Sequence, residues 1–200
     1  MNHIVKALIP LAAAAFAWTT SVQAQDKPWS IDEMLGNPTA PITIIEYASL
    51  TCPHCAEFAE KSLPQIKKEW IDTGKAKLIY RDFPTPPVPL AQAAAMVSHC
   101  SGNRYFAFVD TFYSTQDTWA RSPTPLDSIK MIAKLGGMGP EQVDKCLSDQ
   151  GLLNQINARM EEGQRKFEVE STPSFVIDGK LYAGEMSPEQ FSKVLAGKAK

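Results

Sequence analysis

The 200-residue chain has no run of lysine and arginine, only four cysteines and three histidines, and no apolar stretch long enough to cross a bilayer. Each shortage excludes something. Without a basic cluster, neither nucleic acid nor an anionic membrane surface finds an electrostatic partner, and the formal charge is only −2. One Cys-x-x-Cys and no His-x-x-x-His leave out the second ligand pair that a zinc site usually brings. Covalent haem attachment needs histidine directly after the second cysteine of such a motif, where this chain has Ala56. No metal and no cofactor is therefore implied. The longest apolar run, Ala7–Trp18, has about 12 residues and includes Pro10. A membrane span needs roughly 20.

That run has another reading. It follows Lys6, the one charge before it, and precedes Val22-Gln23-Ala24, the small-residue pattern of a cleavage site. Residues 1–24 are expected to be a secretory signal peptide cut after Ala24, and the protein to be exported, most simply to the periplasm. A lipid anchor would need cysteine at the cut, and the first cysteine is Cys52. The remaining chain of about 176 residues suits one domain, or one domain with an insertion. Loss of Lys6 takes its formal charge from −2 to −3. No internal repeat occurs.

An oxidising compartment lets four cysteines pair, in three possible ways. Joining Cys52 or Cys55 to a distant cysteine strands its neighbour, so the economical pairing is Cys52 with Cys55 and Cys100 with Cys146. The two pairs have different uses. The second closes a loop of nearly 50 residues, which chain entropy credits with about 4 kcal/mol. The first closes almost none, and so makes a poor staple.

Local patterns place the first pair. Ile42, Ile44, Ile45 and Tyr47 mark a buried strand over Pro41–Ala48 that runs into Cys52-Pro53-His54-Cys55. Cys52 is suited to cap a helix and Pro53 to its first position, where a missing N–H costs nothing. Ala59, Leu63, Ile66 and Trp70 continue that helix past a kink at Pro64 to a stop near Gly74. Lys77–Phe83 is a second strand, completing a parallel βαβ unit. Four prolines in residues 84–89 mark a stiff linker. Five helical segments follow, beginning at Leu90, Tyr105, Pro125, Glu141 and Leu152. Ser174–Ile177 and Lys180–Ala183 flank Asp178-Gly179, a hairpin signal, and Ser187-Pro188 opens a last helix. The expected fold is α/β: a thioredoxin-like fold in two parts, 25–85 and 167–200, with an inserted helical domain at 86–166. Phe106, Phe108, Phe112, Tyr113 and Trp119 read as the core of that insert. His99, although beside Cys100, reads as a core or capping residue rather than a metal ligand.

Glu46 lies six residues before Cys52, Arg81-Asp82-Phe83-Pro84 ends the second strand, and Val169 precedes Thr172-Pro173-Ser174-Phe175. Together with Cys52-Pro53-His54-Cys55 these features, spread in order over the mature chain, resemble the DsbA family of bacterial thiol:disulfide oxidoreductases. A Cys100–Cys146 bond resembles the family's subset with a second, structural disulfide. The resemblance implies a cis-proline loop at Thr172-Pro173 that pairs with an extended substrate. It also implies a buried acid, Glu46, that exchanges protons with Cys55, and reoxidation by a DsbB-like membrane protein. Unfolded exported proteins with free thiols are the implied substrates.

The chemistry also follows from the residues. A thiolate attacks disulfides, and a helix N-terminus stabilises a thiolate through its unpaired N–H groups and macrodipole. Cys52 is thus the nucleophile and leaving group, Cys55 the less exposed partner, and Pro53 the brace of the turn. His54 is expected to add positive charge or a hydrogen bond. An isomerase or reductase of the same fold is the alternative. Dimeric isomerases carry an extra N-terminal domain, and only Gln25–Ala40 precedes the first expected strand, which favours a monomeric oxidant.

Overall fold

The computed structural model describes residues 32–198, so the expected signal peptide lies outside the described residues. Strand β1 is Glu33–Leu35 and β2 is Ile42–Ala48. In β2, Ile42 and Ile44 are buried and alternate with half-buried Thr43 and Ile45, the period-2 pattern of a strand between two layers. Beyond Glu46 every residue to Leu50 is buried. The strand therefore delivers the dithiol motif from inside the molecule.

Cys52 caps α1 (Pro53–Glu57), with Pro53 at the first position. The helix then widens into a π-turn at Phe58–Ser62, narrows in α2 (Leu63–Ile66) and widens again at Lys67–Ile71. Pro64 has no N–H to give the preceding turn. In the widened segment the Leu63 N–H bonds instead to the Phe58 carbonyl, five residues back. Gly74, at φ +74°, ends the segment.

β3 (Ala76–Asp82) returns parallel to β2 with Glu46 opposite Tyr80. α3 spans Val88–Cys100 and α4 Tyr105–Ser114; α5 is Gln116–Trp119, α6 Pro125–Leu135, α7 Pro140–Leu147 and α8 Gln150–Phe167. β4 (Ser174–Ile177) and β5 (Lys180–Ala183) form the hairpin, and α9 (Pro188–Ala196) closes the chain with a Ser187–Gln190 capping box. Asp178 and Gly179 both have positive φ, as the two-residue turn requires. The sheet order is β1-β3-β2-β4-β5, with β2 central and antiparallel to β4. This is a thioredoxin-like sheet joined to helical segments, and no helix among the described residues is long and apolar enough to cross a membrane.

Two expectations need correction. The stretch 84–89 is not all linker: α3 starts at Val88, because Pro89 sits in the first turn, where no N–H is needed. β1 lies within the stretch thought to precede the first strand, pairing antiparallel with β3.

Polar side chains at the end of β3 tie the helices to the sheet. Arg81 donates two bonds to Asp32, both 2.9 Å, and one to the Tyr47 hydroxyl at 2.9 Å; Glu162 of α8 is 3.7 Å away. Asp82 is buried and lies 2.7 Å from His99 Nε2 of α3. Burial pushes the His99 pKa down, but Asp82 and Glu33 outweigh it and bring the value up to about 9. His99 is therefore a core histidine paired with carboxylates.

Gly163 of α8 faces the Tyr47 ring so closely that a Cβ there would lie 2.6 Å from it. Tyr47 is fully buried and held by Arg81, so it has little room to yield. Gly163→Ala should destabilise the protein by up to about 2 kcal/mol, because overpacking (about 1–3 kcal/mol) outweighs alanine's gain in helix propensity of about 1. Denaturant unfolding measures this. An equally or more stable variant would show that the ring gives way.

Candidate active site

Cys52 and Cys55 are free thiols in this structure, Cys52 8% exposed and Cys55 fully buried. Around Cys52 the chain is heavily fixed. The Ser49 and Thr51 hydroxyls lie 3.0 Å apart, and Thr51 donates to the Thr85 carbonyl at 3.1 Å. Gln116 donates to the carbonyls of Leu50 (2.8 Å) and Cys52 (3.1 Å) from a buried position. Gln116 sits on α5, a four-residue helix with no usable periodicity, and nothing in the sequence marks it.

Thr172-Pro173 is cis and lies against the dithiol: Cys52 Sγ is 3.3 Å from the Thr172 carbonyl oxygen, to which it donates only while protonated. The Gly184 N–H bonds to the Pro173 carbonyl at 2.9 Å, fastening the loop to the hairpin. Residues more than a hundred positions apart in sequence thus meet at one sulfur.

The Cys52 pKa is lowered from 9.0 to about 5. The largest cause is the hydrogen bond from the Cys55 thiol. Burial opposes it, and the Thr172 side chain and the backbone N–H groups of Cys55 and His54 add to it. The last two are amides of the helix's first turn, and the Cys55 N–H also bonds to the Cys52 carbonyl at 3.2 Å. Cys55 moves the opposite way, well above 9.0, first through burial and then through its neighbour Cys52. One thiol is held as the anion and the other protonated.

The imidazole of His54 is exposed, with Nδ1 3.9 Å from Glu185 Oε2, and the part of the residue that acts on Cys52 is its backbone N–H. Donor atoms of His54, Glu57 and Glu185 lie within 4.8 Å of one another, but Glu57 already holds Lys61 at 2.7 Å. Glu185 also lines a shallow cavity of about 350 Å³ with Tyr182 and Met186. Glu46 is 2% exposed, and burial raises its pKa from 4.5 to about 8. Tyr80, opposite Glu46, and Tyr113 are also buried; their hydroxyls are 2.7 Å apart, and Tyr113 reaches the Ser49 carbonyl at 3.4 Å. Cys100 and Cys146 form a disulfide between α3 and α7.

A sheet of this order with a dithiol capping the helix after its central strand defines a thioredoxin-fold thiol–disulfide protein. A family model described as Thioredoxin matches residues 30–196. The crystal structure of Wolbachia pipientis alpha-DsbA1 superposes with a TM-score of 0.77 at 32% identity, covering 84% of this chain and 92% of that one. A protein-disulfide isomerase from Novosphingobium aromaticivorans superposes with a TM-score of 0.73 at 26% identity, over 85% of this chain and 98% of that one. A Rickettsia bellii protein, provisionally named a protein-disulfide oxidoreductase, is 33% identical over 150 residues, 74% of this chain and 57% of that protein. The chain spans little more than half the length of such curated relatives. It belongs to the DsbA family within the thioredoxin fold, in the subset with a second disulfide.

Proposed function

We propose that the protein is a periplasmic protein dithiol:disulfide oxidoreductase that donates a Cys52–Cys55 disulfide to exported proteins. The observation that carries this reading is the asymmetry of the two thiols, Cys52 near 5 and Cys55 well above 9. In the oxidised form a substrate thiolate attacks Cys52 Sγ; the disulfide breaks, Cys55 leaves and takes a proton, and a mixed disulfide joins the substrate to Cys52. A second substrate thiolate attacks the substrate sulfur and expels Cys52 as a thiolate. Two substrate thiols are oxidised and one disulfide is reduced. Cys52 leaves easily because its anion is already stabilised. Glu46, protonated over much of the neutral range, supplies the Cys55 proton in this scheme. Thr172 pairs with the extended substrate beside Cys52, and the cavity at Tyr182, Glu185 and Met186 takes its side chains.

In this reading residues 1–24 are removed on export, residues 25–85 and 167–200 form the thioredoxin-like part, and residues 86–166 form the helical insert. The protein works as a monomer and is reoxidised by a DsbB-like membrane protein.

The pH dependence has a definite sign. Reduced Cys52 binds fewer protons folded than unfolded, so its stabilisation is complete above pH 9, declines as pH falls and is gone below about 5. Glu46 works oppositely: its contribution is full below pH 4.5 and is lost as pH rises through about 8. Glu46 titrates in both redox forms and largely cancels between them, whereas Cys52 titrates only in the reduced one. Cys55 opposes only above 9.0. From pH 5 to 8 the reduced form should therefore gain on the oxidised form by about 1.4 kcal/mol per pH unit. Equilibrium with glutathione across that range tests the proposal. A disulfide more oxidising than glutathione at pH 7, growing more so as the pH is raised relative to an unperturbed dithiol, supports donation. A strongly reducing potential would instead mark a reductase.

A further inference from the structure

A cavity of about 530 Å³ opens between the Ala59–Lys67 stretch and α4, reaching down to β2 and β3. Its walls are mainly apolar, with Leu63, Phe106 and Val109 among them. Three carboxyl groups also line it: Glu46 at the buried end, and Glu60 and Asp110 at the exposed end. None of the three has an ion-pair partner among the described residues. Lys67, the one basic residue among those lining the space, is bound to Asp72 at 2.6 Å.

Glu46 is the unusual member. It is 2% exposed and makes no hydrogen bond to any described group, yet its carboxyl oxygens are not sealed off, because they border the cavity. A carboxylate this poorly hydrated is costly to ionise, and a cation that paired with it would recover part of that cost. An apolar space with a few convergent polar groups is the usual form of a small-molecule site. Glu60 and Asp110 at the opening, with no free cation among the lining residues, decide the sign of the charge such a ligand carries, and a cation that reaches Glu46 displaces its proton.

We propose that this cavity binds a small amphiphilic cation, a primary ammonium group on an aryl or short alkyl body. The ammonium donates to Glu46, and the body lies against Leu63, Phe106 and Val109. Glu60 and Asp110 draw the cation to the opening. Nothing in this assignment depends on disulfide donation, and its test reads binding alone.

The test is an NMR titration of the full mature chain with benzylammonium, benzyl alcohol and phenylacetate at about pH 8.5, above the Glu46 value of about 8, so that the carboxyl is mostly ionised. Benzylammonium should give saturable shifts at residues lining the cavity, with affinity about tenfold or more above that of benzyl alcohol, the effect of one charged hydrogen bond. Phenylacetate should not bind. Glu46→Gln, a neutral isostere, should remove the preference for the cation. Val109→Trp fills the space without touching a charge and should remove binding altogether. Equal affinity for the alcohol, an unchanged preference in Glu46→Gln, shifts that survive Val109→Trp, or no saturable binding would each overturn the proposal.

Discussion

Replacing Cys52 by serine is expected to abolish thiol–disulfide exchange, leaving only the rate of the uncatalysed reaction. The substitution removes the sulfur on which all the described polarisation converges: the Cys55 thiol, the Thr172 side chain and the amides of His54 and Cys55. A serine hydroxyl in the same place cannot form a disulfide or leave as a stabilised thiolate. The fold should survive, because Cys52 is a capping residue, it makes no side-chain cap bond, and serine is itself a good N-cap. Cys55→Ser should behave differently. With Cys52 intact but no internal partner, the variant can be held as a mixed disulfide with substrate. Oxidation of a dithiol peptide, followed with each variant, separates the two roles. Retained turnover in Cys52→Ser would remove that residue from the mechanism.

The second large effect concerns stability rather than rate. Removing the Cys100–Cys146 bond, as Cys100→Ala with Cys146→Ala, should cost about 4 kcal/mol, since the bond closes a sequence separation of 46 residues. For a chain of this size that corresponds to a fall in Tm of roughly 10 °C. The bond joins the end of α3 to α7 beside a small cluster of Ala95, Met96, Leu152 and Ile156. α3 is also the helix that His99 ties to Asp82, so the disulfide and the buried ion pair hold the same element from two sides. The first exchange step should persist in the folded variant. Thermal unfolding and exchange rates measured on the same preparation separate the two outcomes. Exchange lost with the fold preserved would contradict a purely structural bond.

Much of the architecture was legible because its signals are local. Pro53 after Cys52, Asp178-Gly179 between two apolar runs and Ser187-Pro188 each specify a turn or cap by their own chemistry, and each feature stands where it was expected. Pairing of the distant cysteines was legible by economy, and the structure shows that bond. The illegible parts are short or depend on packing. β1 has three residues and α5 four, too few for any periodicity to register. Gln116 became part of the site only because α5 packs against the loop before Cys52. His54 was expected to add positive charge or a hydrogen bond to the Cys52 sulfur; in the structure its backbone N–H lowers the Cys52 pKa while its ring lies toward Glu185. Glu46 could be placed on a buried strand from the sequence, but the cavity beside it could not, since its walls come from three strands and two helical segments.

The central claim is that the fold holds Cys52 as a thiolate, and ultraviolet titration of the fully reduced protein tests it directly. Thiolate absorbance near 240 nm should appear with a midpoint close to pH 5 and be missing from Cys52→Ser. A single midpoint near 9, the ordinary thiol value, would contradict the account.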